Sequence, residues 1–162
     1  MGQLLNIRSY EPNDRESLIS ILSVSEPWQT LGYGTQDWDK LFAIIEAGEP
    51  RESFVIECDG QPGGFAVVRR RFLFGDYLEL LAISPALRGR GLGRNLLTHV
   101  EERVFARANN FFACVSDFSI DARRFYASQG YAEVGRLENL LVDGHDEILI
   151  RKTIGPARPA RS

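Results

Sequence analysis

Arg88-Gly89-Arg90-Gly91-Leu92-Gly93-Arg94 is the stretch of this sequence whose residue types and spacing bear most directly on chemistry. Glycine at every second position lets the backbone approach a ligand closely, because no side chain stands in the way. The apolar stripe that follows reads as a helix, and the first N–H groups of a helix have no partner within it. Those groups and the helix dipole favour a phosphate there, and Arg88, Arg90 and Arg94 add positive charge. The run is not a P-loop, which ends in Gly-Lys followed by Ser or Thr. It is not the dinucleotide fingerprint G-x-G-x-x-G either, since the sixth residue from Gly89 is Arg94 and from Gly91 is Leu96. The competing reading is an ordinary turn and helix cap, but three glycines with three arginines exceed what a cap needs.

Several elements must position that loop. Leu4 to Arg8 reads as a first strand. Pro12-Asn13-Asp14 supplies helix-start chemistry ahead of Leu18, Ile19 and Leu22, and Ser25-Glu26-Pro27-Trp28 ends that helix. Thr35 is a candidate cap for a second helix, in which Trp38, Leu41, Phe42 and Ile45 share one face. Ser53 to Cys58 is strand-like, Asp59-Gly60 is a hairpin signal, and Gly64 to Arg71 returns. Gly75-Asp76 marks a second turn before a strand from Tyr77 to Ile83. After the loop, Leu92, Leu96, Leu97, Val100, Val104 and Phe105 line one side of a helix. Phe111 to Val115 is an apolar run suited to a central strand covered on both faces. Ala122 to Gln129 reads as helix, and Tyr131 to Leu137 and His145 to Thr153 as strands. The fold class is therefore α/β, a mixed sheet with helices on its faces. Residues 1–154 are expected to form one domain and 155–162 a disordered tail.

Composition narrows the function. With 162 residues the chain can bury the core of one domain. Its net charge of −3 argues against coating nucleic acid. No apolar stretch approaches the roughly 18 residues of a membrane span, and no basic-then-apolar leader opens the chain, so a cytoplasmic protein with neither nucleic-acid nor membrane partner is expected. Cys58 and Cys114 sit in apolar strand-like runs and read as buried reduced thiols. Neither histidine has the spacing of a metal site, so no metal is expected.

Arg88-x-x-Gly91-x-Gly93 resembles the Q/R-x-x-G-x-G/A motif of the GNAT superfamily of acyl-CoA-dependent N-acetyltransferases. Leu80-Leu81-Ala82-Ile83-Ser84-Pro85 looks like the family's fourth strand. Ala122-Arg123-Arg124-Phe125-Tyr126-Ala127-Ser128-Gln129-Gly130-Tyr131 resembles its second signature, A-x-x-(F/L)-Y-x-x-x-G-(F/Y). The pair stands in the family's order and spacing, and the resemblance runs from about Leu4 to Ile154. It implies a GNAT-like, mostly antiparallel sheet with helices on both faces, and acetyl-CoA as acyl donor. Arg88, Gly89, Arg90, Gly91, Leu92, Gly93 and Arg94 would cradle the CoA diphosphate. Leu81, Ala82 and Ile83 would line the pantetheine arm, with the backbone of Leu81 and Ile83 pairing with its amides as a strand would. Phe125 and Ser119 would flank the same arm. Ser119 stands where the family often has asparagine.

Thioester aminolysis needs a neutral amine, a stabilised oxyanion and a departing thiolate. The resemblance puts Tyr126 near the CoA sulfur, where its phenol would protonate the thiolate; packing in the core is the other reading. Glu79 is the candidate base: alternation gives it the face of Leu81 and Ile83, unless a bulge flips the strand. A salt-bridged Glu79 is its other reading. A backbone N–H of the Leu81–Ile83 strand would meet the oxyanion. Among weaker candidates, His99 reads as solvated, and His145 as either a turn residue or an acceptor contact. Arg69-Arg70-Arg71 reads as a solvated strand end, and Trp28 and Tyr33 as acceptor pocket or core. Direct transfer to a small-molecule or protein amine follows, because neither cysteine has an activating partner. Homodimerisation is left open. A CoA-binding module with little turnover is the rival reading.

Overall fold

Alternation and helical spacing produce most of the expected elements, and the differences fall at turns. The computed structural model describes residues 2–160, so positions 161 and 162 of the expected tail lie outside it. In chain order the elements are β1 (Leu5–Ser9), α1 (Arg15–Ser23), α2 (Thr35–Glu46), β2 (Arg51–Cys58), β3 (Gln61–Phe72) and β4 (Gly75–Ile83). They continue with α3 (Leu92–Phe105), β5 (Asn110–Ser116), α4 (Ile120–Ser128), β6 (Ala132–Val142) and β7 (His145–Thr153). The strands form one sheet in the order β1-β2-β3-β4-β5-β7-β6. Every neighbouring pair is antiparallel except β4 and β5.

Each face of the sheet has its own core. On one, Leu92, Leu96, Leu97, Val100 and Val104 of α3 meet Phe54, Ile56, Ala66, Val68, Leu78, Phe111, Ala113, Val115, Ile148 and Ile150, with Tyr126 and Tyr131 closing the cluster. On the other, Leu18 and Leu22 of α1 and Trp38, Phe42 and Ile45 of α2 cover Val55, Phe65, Val67, Leu80 and Ala82. Burying each such side chain contributes about 1.5–3 kcal/mol, so the two helical layers fix the sheet's position. The layer of α1 and α2 stops at β4. Beyond it, on the same face of β5 and β7, Phe112, Ser116 and Glu147 are buried and Cys114 and Leu149 are half-buried. The expectation of a central β5 strand covered on both faces holds for six of its seven residues, with Cys114 the half-buried one.

Three local expectations also change. The second helix begins at Thr35, but its cap is Gly34, whose N–H donates to Asp37 Oδ2 at 2.8 Å. The hairpin between β3 and β4 turns on Leu73 and Phe74, both left-handed at φ 44° and 59°, rather than on Gly75-Asp76. Those two residues open β4 instead. A side chain at Gly75 would collide with the Asn110 carbonyl of β5. Asp76 is buried, accepting from the Arg71 N–H at 3.1 Å and from Arg107 Nε at 2.8 Å. The glycine there serves close strand approach, not the turn.

Candidate active site

The glycine loop leads directly into α3. Gly91 is the residue before the helix, at φ 82°, and Gly89 stands at φ 75°. A Cβ at either position would meet no atom within 4 Å. The demand for glycine is therefore conformational, since L-residues avoid this region. Gly93 differs: a Cβ there would lie 3.5 Å from Ile83 and 3.8 Å from Phe125, so it ties the helix start to β4 and α4. Leu92 is buried in the core and offers the loop only its backbone. Arg88, Arg90 and Arg94 are exposed. Eight other arginines of the chain pair with carboxylates; these three, like Arg69, Arg71, Arg124, Arg151 and Arg158, have no such partner among the described residues.

Beside the loop the sheet splits. β4 and β5 pair only at Asp76↔Phe111, Tyr77↔Phe112 and Leu78↔Ala113. Past that point β4 runs on to Ile83 and β5 to Ser116 without bonding each other, leaving a gap at the carboxyl ends of the two parallel strands. The Ser84 N–H donates to the Gly63 carbonyl at 2.8 Å, toward β3. Backbone polar groups alternate direction along an antiparallel strand, so those of Leu81 and Ile83 turn away from β3 and into the gap. Ala82 is buried against the α1–α2 layer. Ser119 immediately precedes α4, and its hydroxyl makes no capping bond.

Two tyrosines of the second signature have different fates. The Tyr131 hydroxyl donates to Glu101 Oε2 at 3.1 Å, and Lys152 Nζ reaches the same oxygen at 2.8 Å. Tyr126 is 9% exposed and lies against Phe125 and Tyr131, with ring centroids 5.2 Å and 5.4 Å away. Its hydroxyl has no hydrogen-bond partner among the described residues. Burial pushes its pKa above that of an ordinary phenol, which keeps the proton on oxygen and makes the free side chain a weaker acid than an exposed tyrosine.

Glu79 does not share the face of Leu81 and Ile83, and that expectation is corrected. The register with β3 jumps from Val67↔Leu80 to Val68↔Leu78, which makes Glu79 the extra residue of a β-bulge. Leu78 therefore packs under α3 while Leu80 packs under α1 and α2. Glu79 turns to the second of these faces and meets Arg51, whose Nε donates to Oε2 at 2.7 Å and whose Nη2 donates to Oε1 at 2.9 Å. Both carboxylate oxygens are thereby occupied.

That same face holds polar residues which the motifs did not mark. Alternation within β5 puts Cys114 and Ser116 opposite to Ala113 and Val115, and within β7 puts Glu147 opposite to Ile148. Ser116 and Glu147 are register partners. Glu147 is 5% exposed, and its Oε2 and the Ser116 Oγ are both buried without a hydrogen-bond partner. Burial raises the Glu147 carboxyl above its usual range, and repulsion from Asp117 adds to this. Tyr33, on the segment between α1 and α2, feels the same carboxylate, and so does Tyr77 of β4. The available signal was the alternation Glu147-Ile148-Leu149-Ile150, which sets Glu147 against the core side; knowing which strand stands beside it required the topology.

The remaining candidates fall elsewhere. His99 is half-buried and packs edge-on against Phe54 at 5.3 Å. His145 lies against Phe118 at 4.9 Å. Arg70 pairs with Glu49 at 3.1 Å. Trp28 and Tyr33 pack on Trp38, with centroids 6.0 Å and 5.3 Å away, and so belong to the second core. Cys58 is buried, Cys114 is half-buried, and both are free thiols. Among the described residues no group of three or more potential ligands is arranged for a metal.

A protein-family comparison then decides what this arrangement is: the acetyltransferase (GNAT) family model matches residues 15–131. The chain belongs to the GNAT family. An uncharacterized N-acetyltransferase of Methanocaldococcus jannaschii is 33% identical over 105 residues, covering 64% of this chain and 67% of the relative. Among solved structures, the ribosomal-protein-S18-alanine N-acetyltransferase of Escherichia coli superposes with TM-score 0.80 at 23% identity, over 98% of this chain and 99% of its own. Ard1 of Thermoplasma volcanium gives 0.81 at 22%, over 94% and 99%. An aminoglycoside 6′-N-acetyltransferase complexed with coenzyme A gives 0.75 at 19%, over 96% and 99%. The structural likenesses establish the fold. With the family match, the chain is an acetyl-CoA-dependent N-acetyltransferase, and the reading as an enzyme stands over that of a CoA-binding module.

Proposed function

We propose that this GNAT enzyme moves acetyl from acetyl-CoA to a primary amine by direct attack in a ternary complex, with Tyr126 protonating the departing thiolate. The observation that carries the reading is the gap between β4 and β5, into which the backbone groups of Leu81 and Ile83 turn. The loop from Arg88 to Arg94 stands at its end with unpaired backbone and guanidinium groups for a diphosphate. Pantetheine amides fit the Leu81 and Ile83 backbone as a short added strand, with Ser119 and Phe125 alongside. Tyr126 suits the acid role because its hydroxyl has no hydrogen-bond partner among the described residues, and a thiolate forming beside it would offset the raised pKa that burial gives the phenol. No covalent enzyme intermediate is invoked: burial raises the Cys114 thiol, which disfavours the thiolate a nucleophile needs.

The proton of the incoming amine goes to a carboxylate on the sheet face opposite α3. Glu79 is one such group and would act there only by exchanging or sharing its Arg51 pair. The acceptor class is a protein N-terminus or a small cationic amine; two similar structures are named for a ribosomal-protein alanine and for an aminoglycoside. A single domain over residues 1–154 acting in the cytoplasm is consistent with this role, and dimerisation is not required for it. The test is thioester release from acetyl-CoA across a panel containing an alanine-leading peptide, lysine, spermidine and kanamycin. Release above the amine-free rate for at least one amine supports transfer; none across the panel, with CoA still bound, overturns it.

A further inference from the structure

Glu147 is a carboxylate out of balance with its surroundings. Every other carboxylate placed near it has a guanidinium. Glu79 has Arg51 at 2.7 Å, and Asp117 and Asp146 share Arg136 at 3.3 Å and 2.6 Å. Glu147 has no cation among the described residues, although it is far more buried than those two aspartates. No hydrogen bond of good geometry satisfies its Oε2 or the facing Ser116 Oγ, although that hydroxyl lies near enough to favour the ionised carboxylate. A buried, unpaired carboxylate is costly, and folds seldom leave buried polar atoms unsatisfied. Ser116 ends β5, one of the two strands that bound the gap. The orphaned pair therefore stands beside the gap at the carboxyl end of β5, buried on the face opposite α3.

We propose that Glu147, with Ser116 beside it, is the subsite for the acceptor's ammonium group, binding the cationic amine and taking its first proton. The proposal rests on the transfer reading above and names the acceptor class: a protonated aliphatic amine. The proton leaves the ammonium nitrogen for Glu147 Oε2 and passes to solvent. The freed lone pair forms the N–C bond to the acetyl carbonyl as the C–S bond breaks. Tyr126 gives its proton to the departing sulfur, and the nitrogen's second proton passes through solvent to restore the Tyr126 phenol. The groups facing Glu147 suit this exchange. Tyr33 comes from the α1–α2 segment, Tyr77 from β4, Cys114 and Ser116 from β5, Asp117 from the turn after it, and His145 from β7. Burial and Asp117 raise the carboxyl, while His145 and Ser116 lower it, which moves its proton affinity toward that of the group it must relieve.

Glu147→Gln tests this, because the amide copies the protonated acid in size and hydrogen bonding and a merely structural carboxyl would tolerate it. Steady-state kinetics are compared for two acceptors: spermidine, which is cationic at neutral pH, and 4-chloroaniline, which is not. The expected result is a rise of about 10- to 100-fold in KM for spermidine, the scale of a lost charge-assisted contact. CoA affinity and the arylamine rate should stay within about threefold, inside the worth of an exposed polar contact. Equal KM values in parent and variant, or equal losses for both amines, overturn the proposal. Should the parent acetylate neither of these two amines nor any other of the panel, the transfer reading fails by itself. Glu147 is then judged by calorimetric titration of spermidine into the CoA-bound protein: binding that Glu147→Gln abolishes sustains the subsite, and binding equal in both or absent from the parent overturns it.

Discussion

The glycine loop and the polar face around Glu147 lie beside one gap, and they are built by opposite means. The loop presents backbone: its residue types are dictated by torsion angles, with Gly89 and Gly91 left-handed and Gly93 in contact with Ile83 and Phe125. The polar face presents side chains, gathered from β4, β5, β7 and the α1–α2 segment. A site made of backbone writes itself into the sequence as glycine at fixed spacing. A site made of side chains from four distant segments leaves only ordinary polar residues, each unremarkable where it stands. The difference separates what every member of an enzyme class must bind from what one member selects.

The largest effect that would sharpen this comparison is at Tyr126, in the core beneath α3. Tyr126→Phe keeps the ring in its packing against Phe125 and Tyr131 and removes the one uncommitted hydroxyl. Turnover is expected to fall about 100-fold or more, with CoA affinity unchanged. Parent-like turnover, measured where chemistry limits the rate, would return Tyr126 to the core.

Next is the loop itself. Gly91→Val introduces a β-branched residue at φ 82° with no atom within 4 Å of its Cβ. The penalty is therefore conformational, about 1–2 kcal/mol, and not a clash with the protein. It should appear as CoA affinity weakened by about 10-fold, with the far-ultraviolet spectrum retained. Unchanged affinity by calorimetry would show that the backbone at Gly91 does not meet the diphosphate.

Glu79 gives a smaller effect. Arg51 holds both of its oxygens and the two side chains are each 17% exposed, so Glu79→Gln loses a partly screened pair. A decrease of about two- to fivefold in kcat/KM, of the size of such pairs, is expected at every pH tested. A larger loss that grows as pH falls and recovers as pH rises would mean that Glu79 removes the amine proton after all. It would then displace Glu147 from that part of the proposal.

Much of the scaffold was legible because its signals are local. Apolar spacing marked the stripes of α2 and α3, and Asp59-Gly60 marked the hairpin between β2 and β3. The paired motifs gave the family. What escaped depended on neighbours. Gly75 looks like a turn residue until Asn110 is set beside it, and Leu73 and Phe74 carry no turn signal although they make the turn. The bulge at Glu79 is invisible to strict alternation, because one extra residue moves a side chain to the other face without changing the composition of the strand. Glu147 escaped for a related reason: its burial is a property of β5, β7 and the end of the α1–α2 layer together.

The smallest expected effect on turnover is at Tyr131, and it is the control that gives the Tyr126 result its meaning. Both tyrosines belong to one signature, both are buried in one cluster, and burial raises both phenols above their ordinary range. They differ in what the hydroxyl touches. Tyr131 donates to Glu101, which also receives Lys152, so its hydroxyl ties the start of β6 to α3. Removing it in Tyr131→Phe leaves Glu101 still paired with Lys152, and the cost should be about 1 kcal/mol of stability, the net worth of one such bond. Turnover per folded molecule should match the parent. The check is denaturant unfolding alongside kinetics at a temperature where both proteins are folded. A rate loss like that of Tyr126→Phe would show that turnover reports the packing of the cluster as a whole, and the distinction between a committed and an uncommitted hydroxyl would fall with it.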